Sequence, residues 1–78
     1  MDISPAQVRA ARALIDWSQQ QLAEVAEVGL STVADFERGR RKPIRASLNA
    51  MRRTLEAAGV EFTNGGQPGV RLARKAEP

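Results

Sequence analysis

The chain has 78 residues and a net charge of +3, and it contains no cysteine and no histidine. The lack of both residue types excludes disulfides, thiolate or imidazole metal sites, a cysteine nucleophile and a histidine general base. No stretch has the pattern of a signal peptide or the apolar length of a membrane span, so we expect a cytosolic protein. A domain this small has a marginal core, which favours dimerisation.

The basic residues are concentrated in one segment. Seven of the twelve lie between Arg38 and Arg53, and the segment contains no Asp or Glu. Such a cluster on a small chain indicates a polyanionic ligand, most often nucleic acid. A solvated charged surface is the alternative.

The first predicted helix spans about residues 5–15. Ser4 is a good N-cap, and the proline after it suits the first helical position. Val8, Ala11 and Ile15 recur at helical spacing and predict one buried face.

The second predicted helix is short, at about residues 19–26. Ser18 and Gln21 have the spacing of a capping box, and Trp17 is placed to pack against Leu22 as a hydrophobic staple. The expected inward face consists of Leu22, Ala23 and Ala26.

The third predicted helix follows a three-residue break and spans about residues 30–38. Gly29 is an acceptable N-cap, and Gly39 ends the helix as a C′ glycine. Val33 and Phe36 point inward.

A fourth helix is predicted at about residues 45–58, after a loop that ends at Pro43. Gly59 ends this helix. Its apolar stripe consists of Leu48, Met51, Leu55 and Ala58, with Met51 as core filler.

The C-terminal part changes to the alternating period of strands. "VEFT" and "VRLA" are joined by the six turn-forming residues "NGGQPG", which predicts a β-hairpin. A lone hairpin is marginal in water, so it must pack on the helices or pair with a second chain. We therefore expect a mostly α fold, with a domain at 1–59 and a hairpin and tail at 60–78 as a possible dimerisation element.

Two short helices across a three-residue break have the arrangement of a helix-turn-helix motif. In detail, "RAARALIDWSQQQLAEVAEVGLSTVADFERGRRKPI", followed by "LEAAGVEF", resembles the phage-repressor-like helix-turn-helix regulators, the XRE family. The resemblance covers about residues 6–63. It implies a domain of four or five helices whose third helix reads bases, and a two-fold dimer on operator DNA.

The resemblance also implies roles for particular residues. Gln19 falls at a phosphate- or base-contacting glutamine, although an ordinary first-turn residue is the alternative. Four residues fall at variable base-reading positions: Leu30, Ser31, Thr32 and Asp35. Leu30 can touch a thymine methyl or lie in the core. Asp35 can accept a hydrogen bond from the N4 amino group of cytosine or form a surface ion pair with Arg38.

The basic segment matches the loop that follows phosphates after the third helix. Its residues are Arg38, Arg40, Arg41 and Lys42. Arg45 is expected either to contact a phosphate or to enter the minor groove. These contacts would position the domain rather than choose a sequence.

Arg12 and Glu37 match a family ion pair between the first and third helices, with Arg9 as a competing partner. Glu27 stands where the family often has glycine. If its backbone is left-handed, the strain costs about 1 kcal/mol.

Two functions follow from the sequence. The first is a dimeric transcriptional regulator, a repressor or autoregulator, that binds double-stranded DNA in the bacterial cytosol. The alternative is an antitoxin-like module that neutralises a partner and also binds DNA, which copurification with a second chain would favour. An enzyme is disfavoured, and no cofactor, metal, membrane or small-molecule ligand is expected.

Overall fold

The computed structural model describes residues 3–64, 66 and 68–73. It confirms a mostly helical fold with a C-terminal antiparallel hairpin. The elements are α1 (Pro5–Ile15), α2 (Gln19–Ala26), α3 (Leu30–Glu37), α4 (Arg45–Ala57), β1 (Val60–Thr63) and β2 (Gly69–Leu72). The third and fourth helices each end one residue earlier than predicted, because Arg38 and Ala58 are the C-cap residues.

Capping boxes fix the starts of α1 and α2. Ser18 Oγ accepts from the Gln21 backbone N–H at 3.0 Å, and Gln21 Oε1 accepts from the Ser18 N–H at 2.8 Å. Ser4 and Gln7 make the same reciprocal pair, at 3.1 and 2.8 Å. The sequence prediction identified the box at Ser18 but only the N-cap at Ser4.

Left-handed residues end α1 and α2. Asp16 and Glu27 both have φ of 61°. At the end of α2 the Val28 N–H donates to the Ala23 carbonyl at 3.0 Å, which closes the helix in the Schellman manner. Glu27 is thus left-handed, at a cost of about 1 kcal/mol relative to glycine.

The helices α3 and α4 begin without a side-chain cap. Their N-cap residues are Gly29 and Ile44. Gly39, with φ of 72°, follows α3 as predicted, and the Arg40 N–H donates back to the Asp35 carbonyl at 2.9 Å. This bond turns the basic loop back alongside α3.

A single apolar core joins all four helices and the hairpin. Its largest fully buried side chains are Leu22, Met51, Leu55, Val8, Val33 and Val60. Ile15, Trp17, Phe62 and Val70 are partly buried against it. Burial of a Leu or Val side chain contributes about 1.5–3 kcal/mol, so this core holds the short helices in place.

The hairpin pairs Val60 with Leu72 and Phe62 with Val70. Gly69 belongs to β2, so the turn is one residue shorter than predicted, and the strand ends at Leu72 rather than at residue 73. A Cβ atom on Gly69 would lie 3.0 Å from Thr63 Oγ1, so a larger residue at this position would require the Thr63 side chain to shift.

Gln7 attaches the hairpin to α1. This buried side chain donates from Nε2 to the Gly69 carbonyl at 3.0 Å, the Asn64 side-chain oxygen at 3.2 Å and the Thr63 carbonyl at 3.3 Å. The hairpin therefore packs on the helices, one of the two possibilities that the sequence left open. The division at residues 59 and 60 stays a prediction, although Val60 lies in the common core.

Within the described part of the chain, no helix has both the length and the apolar character to cross a membrane.

Candidate nucleic-acid interface

Helix α3 packs against the core through its apolar side and exposes its polar side to solvent. Val33 and Phe36 are buried, Ser31 is exposed, and Thr32 and Asp35 are half-buried. Leu30 is 49% exposed, so the alternative that placed it in the core is wrong. Each of the four predicted base-reading side chains thus keeps some exposed surface.

A cleft of about 310 Å³ lies between α3 and the start of α4. Ser31, Thr32 and Asp35 line one side. The other side consists of Arg41, Lys42, Pro43, Ile44 and Ser47. The fold therefore brings predicted base-reading residues and predicted phosphate-binding residues to one surface, although the two groups come from different segments of the chain.

The basic loop is available to an anionic ligand. Arg38, Arg40, Arg41, Lys42 and Arg45 are all exposed. Among the ion pairs of the described residues, none involves Arg38, Arg40, Arg41 or Lys42. By contrast, Arg52 on α4 pairs with Glu56 at 3.3 Å. The charges of Arg38, Arg40, Arg41 and Lys42 are thus not neutralised by the protein's own described carboxylates.

Asp35 adds one negative charge to the cleft. Within residues 3–64, 66 and 68–73, no ion pair joins it to Arg38. The surface pair that the sequence offered as an alternative is therefore not formed. Acceptance of a hydrogen bond from cytosine N4 stays a prediction.

A buried ion pair fixes the end of α3. Arg12 Nε and Nη2 each donate to the Glu37 carboxylate at 2.7 Å, in a bidentate geometry. The Glu37 side chain is only 2% exposed. This hydrogen bond, together with the charge of Glu37, raises the pKa of the Arg12 guanidinium above its ordinary value. Arg9 donates to the Glu37 backbone carbonyl, so it is not the carboxylate's partner.

Gln19 also contacts this ion pair. Its Nε2 donates to Glu37 Oε1 at 3.0 Å, and the side chain is half-buried at the start of α2. One predicted DNA-contacting residue is thus connected to the buried network. Its contact with DNA stays a prediction.

The sequence prediction passed over Ile44 and Ser47. Ile44 is 72% exposed and lines the cleft beside Lys42. An apolar residue this exposed next to a basic loop is a candidate for contact with a sugar or a thymine methyl. Its place directly after Pro43 and directly before a helix was the signal available in the sequence.

The arrangement consists of a bracing helix, a short turn and a second helix with an exposed polar side, beside an exposed basic loop. Together these features define a helix-turn-helix DNA-binding domain. A family model described as Helix-turn-helix matches residues 8–55, from α1 to near the end of α4. The chain therefore belongs to the XRE-type helix-turn-helix family, and in general terms it is a DNA-binding regulator. No curated protein matches the sequence.

Proposed function

We propose that this protein is a sequence-specific transcriptional regulator that represses from operator DNA and controls its own synthesis. The observation that carries the proposal is the shared cleft. It combines Ser31, Thr32 and Asp35 of α3 with Arg41 and Lys42, neither of which forms an ion pair among the described residues.

In this proposal α3 enters the major groove. Ser31 and Thr32 bond base edges, Leu30 touches a thymine methyl, and Asp35 accepts from a cytosine amino group. The loop residues Arg38, Arg40, Arg41 and Lys42, with Arg45, neutralise phosphates on either side of the groove. Affinity then comes mainly from the loop, and choice of sequence from α3.

The proposed functional unit is a homodimer whose two α3 helices lie about 34 Å apart, one turn of DNA. The hairpin is the first candidate for the interface, because Leu72 at the end of β2 is 52% exposed. Two paired strands also leave outer edges that a second hairpin can extend. Packing of α4 against α4 is the alternative.

The proposal places the protein in the bacterial cytosol, where its DNA is. It assigns a binding role rather than catalysis, and it needs no cofactor or small-molecule ligand.

Selection of bound fragments from genomic DNA, followed by sequencing, tests the proposal. We expect enrichment of a two-fold symmetric site, with its own upstream region among the fragments. A gel-shift assay on that upstream DNA at low salt should show a discrete complex. Absence of any shift, with no enriched fragment, would overturn the proposal.

A further inference from the structure

A second cleft, with a volume of about 300 Å³, lies where the N-terminal segment, the end of α3 and α4 meet. Its apolar lining consists of Ile3, Pro5, Phe36 and Leu48. Arg41 and Lys42 also line this apolar cleft, and both of them line the cleft proposed for DNA as well. The two clefts therefore share the same two positive charges.

The apolar walls of this cleft are formed before any ligand binds. Ile3, Phe36 and Leu48 belong to the buried core, so packing fixes their positions. Arg41 and Lys42 are exposed instead. Because each has a long stem with its charge at the end, its charged group can turn toward either cleft.

The lining indicates the class of ligand that the apolar cleft accepts. Small-molecule sites are mostly apolar with a few polar groups that orient the ligand, and their volumes begin at about 300 Å³. Among the described residues, no carboxylate lines the apolar cleft, so its charge is positive. A carboxylate also matches the planar guanidinium of Arg41. The complementary ligand is thus a small molecule with an apolar body and one carboxylate.

We propose that the apolar cleft binds a small apolar carboxylate, and that the bound ligand weakens DNA binding because it engages the charges of Arg41 and Lys42. The second part rests on the proposed function, in which these two residues neutralise phosphates. DNA binding itself needs no such ligand, and the ligand opposes it. Since the coupling between two binding sites is reciprocal, DNA weakens the binding of the ligand by the same factor.

An NMR titration of the free protein with phenylacetate tests the site. This probe has one ring and one carboxylate, and we expect a dissociation constant of about 1 mM. The backbone amide shifts should change at Phe36, Gly39 and Leu48, which line the apolar cleft. Phenylacetamide keeps the ring without the charge, and acetate keeps the charge without the ring. Each of these analogues should bind at least about tenfold more weakly.

The double variant Arg41→Gln/Lys42→Gln removes both positive charges from the lining. The two side chains are exposed, so the fold should be retained. Phenylacetate should then bind at least about tenfold more weakly. Arg52→Gln/Arg53→Gln is the matched control, since it removes the same charge from α4 at residues that do not line the apolar cleft. It should change phenylacetate binding by less than about twofold.

A DNA titration in the presence of phenylacetate tests the competition. The probe is a short mixed-sequence duplex followed by fluorescence anisotropy, and sodium acetate at equal concentration is the reference for ionic strength. With phenylacetate at about ten times its dissociation constant, full exclusion would raise the apparent dissociation constant of DNA about elevenfold, and we expect at least about threefold. Arg52→Gln/Arg53→Gln should keep this effect, and Arg41→Gln/Lys42→Gln should lose it.

The two parts of the proposal can fail separately. Phenylacetate binding no tighter than that of either analogue, or shifts confined to residues outside the apolar cleft, would overturn the site. Binding in the apolar cleft with no effect on DNA affinity beyond that of acetate would overturn the competition, as would an undiminished effect in Arg41→Gln/Lys42→Gln. The NMR titration contains no DNA and decides the site by itself. Failure of the unmodified protein to bind any duplex would refute the proposed function and, with it, the competition.

Discussion

Gln7 Nε2 donates to the carbonyl oxygen of Gly69 at 3.0 Å, across 62 positions of the chain. The same side chain completes the capping box at Ser4, so one residue fixes both the start of α1 and the position of the hairpin. This contact holds the C-terminal strands against α1.

Gln7→Ala should therefore destabilise the protein by about 2–3 kcal/mol. The change leaves hairpin carbonyls without their donor and opens a space between α1 and β2, since Gln7 is buried. Urea unfolding followed by circular dichroism measures the loss. Gln20→Ala, which removes an exposed bond to Glu24, should change the free energy of unfolding by less than about 0.5 kcal/mol. Equal effects of the two variants would contradict the role given to Gln7.

Glu37→Ala should cost about 3–5 kcal/mol, because it leaves the guanidinium of Arg12 partly buried without its carboxylate. Thermal unfolding at one protein concentration measures the change. Glu56→Ala is the control, since it removes the partner of Arg52 in an exposed pair and should cost about 0–1 kcal/mol. A loss at Glu37 no larger than that at Glu56 would show that the buried pair is not structural.

The double variant Arg41→Ala/Lys42→Ala should reduce the slope of log K against log salt concentration by about 2. Each residue is expected to neutralise one phosphate, and each neutralised phosphate contributes about 0.9 to the slope. Titrations of one duplex at several salt concentrations give the slope. Arg52→Ala/Arg53→Ala removes the same charge from α4 and should leave the slope nearly unchanged. A slope unaffected by the loop variant would favour the alternative stated for the sequence, in which these charges form a solvated surface and bind no phosphate.

Ser31→Ala and Thr32→Ala should change which sequences are bound, because loss of a base contact relaxes preference at one position by about 1–3 kcal/mol. The salt slope should stay the same. Selection from a random-sequence library, followed by sequencing, reads out the preference. The loop variant Arg41→Ala/Lys42→Ala serves for comparison, since it should weaken binding and keep the same motif. An unchanged motif in both α3 variants would argue against base reading by this turn.

Leu72→Asp should shift the protein from dimer to monomer if the hairpin forms the interface. The side chain is half-exposed in the monomer, so the fold should survive the substitution. Sedimentation velocity over a range of concentrations measures the association. Val25→Asp is the matched control, since Val25 is an exposed apolar residue on α2, at 59% exposure. Dimerisation that persists in Leu72→Asp would favour the α4 interface.

Local chemistry explains why the element boundaries were predictable. Ser18 with Gln21 marks the start of α2, and Gly39 and Gly59 mark the ends of α3 and α4, because each residue satisfies backbone groups within a few positions. The strand boundary at Gly69 was missed. Gly69 lies in β2 because it pairs with Thr63 of β1, and glycine has no strand-forming signal of its own.

The partners of polar side chains were less predictable. The Arg12–Glu37 pair was expected from a family resemblance, but nothing local distinguishes Arg12 from Arg9 as the residue that reaches the carboxylate. The contacts of Gln7 with the hairpin and of Gln19 with Glu37 had no periodic signal, since each joins segments far apart in the chain.

By itself, the sequence determined four helices and a hairpin, the inward side of each helix, and a basic segment without acidic residues. These features depend on periodicity, caps and composition, which act over a few residues. Only the tertiary structure decided that Leu30 is exposed, that Ile44 lines the cleft, and that α3 and the basic loop share one surface. It also decided that Glu37 contacts both Arg12 and Gln19. Such arrangements depend on how separate elements pack around one core, and no stretch of the chain specifies that packing alone.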